Sequence, residues 1–215
     1  MSVIRENGVL KQTSIPRVFH WIWIGPKPLP VKDKKLMDSW KKFHPKWKFK
    51  LWTNDNLPKL RYLRHCFKKS DSWPSKANLL RYEILFRCGG VYLDTDMECF
   101  KPIDGLLLDC QAFVIADYAY INNAMFGTIA NHPFLKDIID TVANNFNPEI
   151  SLSDGPGTFS RSRNRNDIRI FEHQVFYPFT KKEEKTAYAK HHFNMAWKNR
   201  ISGKPYKVPD WDVDN

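Results

Sequence analysis

One stretch of the sequence restricts the fold more than any other, because a helical pattern, a glycine pair and a short apolar run follow one another. Apolar residues recur at helical spacing through residues 76–87, which predicts an amphipathic helix. Gly89 and Gly90 then supply the flexible backbone of a C-terminal cap. The apolar residues 91–93 predict a strand that ends at Asp94-Thr95-Asp96. This order is typical of an α/β sheet, in which ligands bind at the carboxyl ends of strands.

The first part of the chain predicts the same architecture. Residues 17–24 are rich in β-forming side chains, residues 32–42 carry apolar side chains at helical spacing, and residues 49–53 form a second β-rich run. Strand, helix and strand in succession begin a parallel α/β sheet. A chain of 215 residues, 42% of them hydrophobic, suffices for one well-buried domain and is short for two. We therefore predict a single domain over residues 1–215, with a mostly parallel central sheet flanked by helices, a core at about 15–200 and an irregular tail at 203–215.

Asp94 and Asp96 are the strongest candidates for a chemical role. On a strand, two residues this far apart would face the same side, and two carboxylates there repel each other unless a proton or a cation neutralises them. Oxygen ligands favour Mg²⁺ or Mn²⁺, and both ions also accept a diphosphate. The alternative is that D-x-D is a common tripeptide found in solvated turns. The position after a glycine pair and an apolar strand favours the metal site.

The net charge of +11 leaves the partner open. A basic surface can simply be solvated, or it can attract a nucleotide diphosphate, anionic lipid headgroups or nucleic acid. Lysines concentrate in residues 27–50 and arginines in residues 161–169, but neither run has the aromatic spacing of an RNA-recognition strand. We expect no nucleic-acid partner and keep peripheral membrane association open. The arginine run is a candidate mobile lid or acceptor-docking surface.

The sequence predicts a cytoplasmic protein. Residues 1–11 are polar and contain no apolar h-region of a signal peptide. The longest apolar run, residues 18–24, is too short to span a bilayer. The four cysteines form no C-x-x-C pair and no zinc-like spacing, so we expect free thiols.

Residues 75–96, with the sequence SKANLLRYEILFRCGGVYLDTD, resemble the DXD-containing signature of glycosyltransferase family 32. That family includes yeast initiating mannosyltransferases and bacterial capsule enzymes, and it is similar, more distantly, to the catalytic domains of the clostridial glucosylating toxins. Supporting matches extend over about residues 15–197. The resemblance implies a GT-A-type, Rossmann-like fold, a nucleotide-sugar donor, and retention of the anomeric configuration.

The resemblance also implies roles for residues around the DXD motif. Asp96 would ligate the metal directly, whereas Asp94 would contact the donor ribose and reach the metal through water. Tyr92 would lie against the nucleotide–sugar region, and Arg81 would hold sugar or diphosphate oxygens with its planar set of donors. From the sequence alone, Arg81 can equally be a charge on a helix surface.

Asn78 departs from the family pattern, which places an aspartate there to bind sugar hydroxyls. An amide both donates and accepts hydrogen bonds, so its presence predicts altered sugar preference, with weakened activity as the alternative.

The segment 20–25, with the sequence HWIWIG, resembles the nucleotide-binding strand of the family. We assign Trp23, which would stack on the base, and Ile22 to the donor site. A core position is the alternative for Trp21 and, to a lesser degree, for Trp23, whereas Trp52 is expected to be a core residue. Asn54 and Asn56 can contact the ribose or base, but turn formation explains them equally well.

Residues 189–197, AKHHFNMAW, resemble the family's C-terminal motif that closes the metal site. We predict that His192 is the third protein ligand, with His191 behind it, and that Trp197 donates its indole N–H to a phosphate oxygen. Ala196 replaces the family's serine. Gly155, in the segment 155–158, resembles a loop near the donor sugar, and Asn122-Asn123 are weaker candidates for the same region.

The function predicted from these residues is metal-dependent transfer of a hexose from a UDP-sugar, with GDP as the possible alternative, to a glycan or other hydroxyl acceptor. Mn²⁺ or Mg²⁺ is the expected cofactor. We favour front-face attack, with the leaving phosphate as base, over a covalent carboxylate intermediate, for which Asp117 and Glu172 are candidates. The alternative functions are a nucleotide-sugar or glycan-binding module of the same fold and a basic nucleic-acid-binding protein.

Overall fold

The computed structural model describes residues 3–6, 9–12, 15–117, 120–148 and 154–193. The strands in chain order are β1 (Val3–Glu6), β2 (Val9–Gln12), β3 (Val18–Ile22), β4 (Lys48–Trp52), β5 (Gly90–Leu93), β6 (Met97–Cys99), β7 (Ala112–Ala116), β8 (Ile121–Thr128), β9 (Arg169–Glu172) and β10 (Ala189–His191). The helices are α1 (Val31–Phe43), α2 (Arg64–Lys69), α3 (Trp73–Cys88), α4 (Pro133–Asn145), α5 (Pro156–Phe159), α6 (His173–Phe176) and α7 (Lys181–Glu184). The predicted tail at 203–215 lies outside the described residues.

A six-stranded sheet in the order β4-β3-β5-β8-β7-β9 organises the fold. β3 pairs in parallel with both β4 and β5, and β7 pairs in parallel with β9. β8 runs antiparallel to both of its neighbours, β5 and β7. Two antiparallel pairs, β1-β2 and β6-β10, lie outside this sheet. The predicted α/β class is therefore confirmed, and the sheet is mixed because β8 reverses direction.

Two buried apolar clusters cover the two faces of the sheet. Along β5 and β7, alternate residues belong to different clusters: Tyr92 and Val114 pack in one, Val91 and Phe113 in the other. This is the period-two alternation of a strand that is buried on both sides. The first cluster contains much of α3 and α4, whereas the second contains the buried face of α1.

Helix α3 begins and ends where its sequence supplies caps. The Ser72 side chain accepts a hydrogen bond from the Ser75 backbone N–H, and a proline occupies the first turn. The C-cap is Gly89 at φ +63°, and its N–H donates to the carbonyl of Leu85. Gly90 follows at φ +104° and begins β5. The chain can therefore leave the helix and enter the sheet within two residues.

Several elements differ from those predicted. The predicted loop at 155–158 contains most of α5, and edge strand β9 begins at Arg169, the last residue of the arginine run. β8 and the hairpin β1-β2 were not predicted, because Asn122-Asn123 and the polar N-terminal residues obscure the β pattern. The ambiguous segment 188–197 contains β10, and its part beyond residue 193 lies outside the described residues.

The structure also bears on the expectations about thiols and membrane spans. All four cysteines are free, as expected, and three of them are buried. Among the described helices, none combines the length and the apolar character needed to cross a membrane.

Replacement of Gly90 by alanine tests the junction between α3 and β5. A Cβ at Gly90 would lie 2.7 Å from both Cγ1 and the carbonyl oxygen of Val18, in a backbone conformation that disfavours side chains. We expect Gly90→Ala to lower the free energy of unfolding by about 3 kcal/mol. Urea denaturation measures this change.

The matched control is Gly105→Ala, in the short helical turn Asp104–Leu107, where an added Cβ meets nothing within 4 Å. This variant should stay within about 0.5 kcal/mol of the parent chain. Equal stability of the two variants would contradict the described α3–β5 junction.

Candidate active site

The DXD residues lie in a turn immediately after β5. The spacing argument assumed that Asp94 and Asp96 both lie on a strand, but both follow the end of β5. The backbone N–H of Asp94 donates to the carbonyl of Ala124 on β8, and the N–H of Met97 donates to the carbonyl of Asp94. The carboxylates converge because β8 and the start of β6 fix this turn.

Asp94, Asp96 and His191 form the one group of potential metal ligands found within the described residues. One ligand atom from each side chain lies within 4.8 Å of the other two, and all three residues are half-buried. His191 reaches the group because β10 pairs with β6, where His191 lies opposite Met97. Its Nε2 is 3.1 Å from Oδ1 of Asp96. Two carboxylates and one imidazole are a donor set that suits Mn²⁺.

His192 occupies a different position from the one predicted. Its Nε2 lies 2.8 Å from Oε2 of Glu98, and its backbone N–H donates to the carbonyl of Asp96. Consecutive residues of an extended chain point to opposite sides, so only one of the two histidines can face the aspartates. In the described arrangement His191, and not His192, lies beside the aspartates, whereas a ligand role for His192 stays a prediction.

Arg81 is a buried cation behind Asp94, and not a charge on a helix surface. Its side chain is 7% exposed, and Nη1 lies 3.2 Å from Oδ1 of Asp94. The same Nη1 donates to the carbonyl of Asn123 at 2.7 Å, and the guanidinium lies 4.2 Å from the centre of the Tyr92 ring. Burial is the largest influence and would lower the pKa of Arg81, but Asp94 together with Tyr92, Tyr82 and Asp154 outweighs it and raises the pKa above its ordinary value. A permanent positive charge therefore stands beside the DXD turn.

Tyr92 supports Asp94 from inside the protein. Its hydroxyl donates a 2.5 Å hydrogen bond to Oδ1 of Asp94, and the residue is 1% exposed. Burial raises the pKa of Tyr92 well above its ordinary range, so the hydroxyl keeps its proton and remains a donor. One carboxylate oxygen of Asp94 is thus held by Tyr92 and Arg81. In the described arrangement Tyr92 lies behind the aspartate and does not form an open surface.

A second polar group extends from Arg81 toward the start of α5. Asn123 donates from Nδ2 to Oδ1 of Asn78 at 3.1 Å and to the hydroxyl of Tyr82 at 2.8 Å. Asn78 in turn lies 3.5 Å from Asp154, measured from Nδ2 to Oδ1. Asn78 is therefore connected to the DXD turn through Asn123 and Arg81.

Asp154 is the residue of this group that the sequence interpretation missed. It is 5% exposed, its carboxylate accepts a hydrogen bond from the Ser75 hydroxyl, and its backbone carbonyl accepts one from Tyr82. Burial raises the pKa of Asp154, although its hydrogen bonds oppose that shift. The sequence signal that could have indicated Asp154 is its position directly before Gly155, which we assign to the donor site and which is the N-cap of α5.

Trp23 and Ile22 lie at the edge of the sheet where the DXD turn emerges. β3 and β5 are parallel, with His20 opposite Tyr92, so both strands end on the same side. Trp23 is half-buried, and its indole N–H donates to the carbonyl of Lys27. Ile22 packs into the core with its side chain 6% exposed, which leaves mainly its backbone for a ligand.

The remaining candidates near this edge have structural partners or fall outside the described chain. The Asn54 side chain bonds both backbone groups of Gly25, and Asn56 bonds the backbone of Leu51 and Thr53, as their turn interpretation predicts. Trp21 is a buried core residue. Trp197 and Ala196 lie outside the described residues.

The family described as the glycosyltransferase sugar-binding region containing a DXD motif matches residues 30–113. This match includes α1, α3 and the DXD turn. The resemblance to DXD-motif glycosyltransferases is therefore confirmed.

Two relatives show the extent of the similarity along the chain. Inositol phosphoceramide mannosyltransferase 1 of Schizosaccharomyces pombe is 31% identical over 159 residues, which cover 66% of this chain and 49% of the relative. An uncharacterized glycosyltransferase of Acanthamoeba polyphaga mimivirus is 26% identical over 188 residues, covering 76% of this chain and 73% of the relative. The chain thus spans about half the length of the fission-yeast enzyme that it matches.

The fold is also similar to that of a solved glycosyltransferase. The structure titled PaToxG Glycosyltransferase superposes with a TM-score of 0.58 at 19% identity, covering 69% of this chain and 67% of that one. At this identity the likeness concerns the fold alone, and it confirms the predicted GT-A-type class.

The two adjacent histidines form a matched pair for testing the metal-ligand geometry. We expect His191→Ala to weaken Mn²⁺ binding by at least about tenfold, because it removes one of three converging donors. His192→Ala should change the affinity by less than about threefold, because His192 pairs with Glu98 instead. Electron paramagnetic resonance of free Mn²⁺ during titration measures both affinities. The opposite ranking would identify His192 as the ligand and contradict the assignment of His191.

Proposed function

We propose that this chain, which belongs with the DXD-motif glycosyltransferases, transfers a hexosyl group from a nucleotide-diphosphate sugar to a hydroxyl acceptor, with a divalent cation as cofactor. UDP is our favoured carrier and GDP the alternative. The observation that carries the proposal is the convergence of Asp94, Asp96 and His191 within 4.8 Å of one another, at the carboxyl end of β5. In open α/β sheets this edge is where ligands bind.

The donor set at this edge fits a divalent cation. Three half-buried side chains offer two carboxylate oxygens and one imidazole nitrogen. The Arg81 guanidinium beside them balances a single carboxylate charge, so a cation would further reduce the repulsion between the two aspartates. Mn²⁺ accepts such a mixed set more readily than Mg²⁺, which prefers oxygen ligands. When bound, the cation would neutralise the diphosphate and stabilise it as a leaving group. Asp96 and His191 would ligate it directly, and Asp94 would do so through water.

Arg81 would supply the fixed positive charge of the reaction. Because the guanidinium is buried and held by Asp94 and the carbonyl of Asn123, it needs no reorganisation as negative charge develops on the departing phosphate. Tyr92 would keep the Asp94 carboxylate oriented through its 2.5 Å hydrogen bond. These residues stabilise the leaving group, which is the main electrostatic demand of glycosyl transfer.

The donor base would lie near Trp23, at the same edge of the sheet. An aromatic side chain stacked on a base contributes about 1–3 kcal/mol, and Trp23 keeps part of its surface exposed. Gly155 and Asn78 would lie toward the sugar. Three relatives are named as mannosyltransferases and one as an N-acetylglucosaminyltransferase, so the assay below includes a donor of each hexose type.

Retention by front-face attack is our proposal for the stereochemistry. A covalent intermediate requires a carboxylate at the sugar. Glu172 is exposed at the end of β9, whereas Asp117 is half-buried after β7. Asp154 already binds Ser75 and Asn78. In our scheme no carboxylate acts as a nucleophile, and the leaving phosphate is the base.

The acceptor would be a glycan or another hydroxyl compound. Relatives are named as inositol phosphoceramide mannosyltransferases, which makes a glycolipid headgroup a reasonable acceptor to assay. The basic surface is compatible with peripheral attachment to an anionic membrane. The cytoplasmic location stays a prediction.

The arginine run offers less support for a nucleic-acid or lid function than its sequence suggested. Arg165 forms ion pairs with Asp137 and Asp167, and Arg169 donates to the backbone carbonyls of Leu106 and Leu108. Side chains already engaged in this way are poor candidates for phosphate contacts. A catalytically weak donor-binding module of the same fold is the second candidate function, favoured by the amide at Asn78.

Hydrolysis of a nucleotide-sugar panel, followed by NMR, tests the proposed function. The panel contains UDP-glucose, UDP-N-acetylglucosamine and GDP-mannose, each with Mn²⁺, Mg²⁺ or EDTA. We expect one donor to be hydrolysed with Mn²⁺ and not with EDTA. Asp96→Ala should lower the rate by at least about a hundredfold, because it removes a direct ligand.

Asp38→Ala is the matched control, since Asp38 lies on the exposed side of α1 and pairs with Lys41. It should retain the parent rate within about twofold. If no donor in the panel is hydrolysed, and neither Mn²⁺–UDP nor Mn²⁺–GDP binds, the enzyme proposal is contradicted. Binding without turnover of any donor or acceptor would favour the binding module.

A further inference from the structure

Asp154 is a buried acid to which the proposed reaction gives no role. It is 5% exposed, and it lies at the N-terminal end of α5 directly before Gly155. Its partners come from one face of α3: the hydroxyl of Ser75, the amide of Asn78 and the hydroxyl of Tyr82. A carboxylate is costly to bury unless hydrogen bonds satisfy it. Ser75 and Asn78 donate to the carboxylate of Asp154, whereas the Tyr82 hydroxyl donates to its backbone carbonyl.

Asp154 determines which way the Asn78 amide points. The Nδ2 group of Asn78 faces Oδ1 of Asp154 at 3.5 Å, and its Oδ1 accepts from Asn123 at 3.1 Å. The amide is therefore held between an acceptor on one side and a donor on the other. A carboxylate at position 78 could accept from Asn123 but could not donate to Asp154.

The identities of residues 78 and 154 are consequently linked. The side chains of residues 78 and 154 lie 3.5 Å apart. Two carboxylates at that separation would repel each other strongly, because little solvent screens a buried pair. One acid and one amide satisfy both hydrogen-bonding directions. The same contacts continue to the DXD turn, because the carbonyl of Asn123 accepts from Arg81, which lies 3.2 Å from Asp94.

We propose that Asp154 and Asn78 act as one acid–amide pair that positions the sugar of the donor, and that Asn78 is an amide because Asp154 is the acid. This inference rests on the proposed function and assigns it a specificity-determining pair. The remaining lone pairs of Asp154 and the second N–H of Asn78 can bind the hydroxyls of a neutral hexose. The pair is a positioning unit: Asn78 accepts from the Asn123 side chain, whereas Asp154 acts on Asn123 only through Asn78 and Tyr82.

A charge-swap cycle tests the pair with the variants Asn78→Asp, Asp154→Asn and the double variant carrying both changes. Calorimetry measures the Kd of UDP-glucose and GDP-mannose, and of UDP and GDP, all with Mn²⁺. Each single variant should raise the Kd of the bound sugar nucleotide by at least about tenfold, because one buried polar group loses its partner. The Kd of the nucleoside diphosphate should change by less than about threefold.

The double variant should recover sugar-nucleotide binding to within about fivefold of the parent chain, since it again contains one acid and one amide. Asn144→Asp, on the exposed face of α4, is the control for the same chemical change and should have no effect. If Asn78→Asp does not fold, the double variant decides: recovery of folding and binding supports the pair.

Two results would overturn the inference while leaving the proposed function intact. The first is that both single variants bind the sugar nucleotide with the same Kd as the parent chain. The second is that the double variant binds the sugar nucleotide no more tightly than the weaker-binding single variant. A parent chain that binds no nucleotide would instead refute the proposed function, and the melting temperatures of the cycle would then show separately whether the two residues are coupled.

Discussion

The buried guanidinium of Arg81 is the interaction on which the site depends. A charged group is costly to bury unless it is paired and hydrogen-bonded, and Arg81 meets that requirement by joining three elements. It extends from α3, contacts Asp94 after β5, and donates to the carbonyl of Asn123 on β8. The Tyr92 ring covers one side of the guanidinium at 4.2 Å. Loss of any one partner would leave a buried charge partly unsatisfied, so these three elements are held in one arrangement.

The rest of the site follows from that arrangement. With Asp94 held on one side by Arg81 and Tyr92, the turn carries Asp96 toward β10, which pairs with β6 and brings in His191. In the other direction Asn123 connects Arg81 to Asn78, and Asn78 in turn contacts Asp154. The group of potential metal ligands and the acid–amide pair therefore lie at the two ends of one set of polar contacts. We interpret the first as the diphosphate end of the donor site and the second as the sugar end.

The sequence predicted the parts of this arrangement that depend on local pattern. The helix at α3, its glycine cap, the strand β5 and the DXD turn are consecutive in the chain, and each has its own propensity signal. The choice between His191 and His192 depended on which side of β10 faces the turn, and the register with β6 places His191 beside it. Asp154 was missed because its partners on α3 are more than 70 residues away in the chain. β8 was missed because its Asn-Asn pair interrupts the apolar pattern, although those polar residues are what the site uses.

The central claim is that Asp94, Asp96 and His191 hold a divalent cation beside Arg81. A crystal structure of the chain with Mn²⁺ and UDP, with anomalous scattering recorded at the manganese edge, tests it most directly. The account predicts one anomalous peak about 2.2 Å from an oxygen of Asp96 and from a nitrogen of His191, with the diphosphate completing the coordination. A manganese ion bound by His192 and Glu98, or UDP bound at another edge of the sheet, would contradict it.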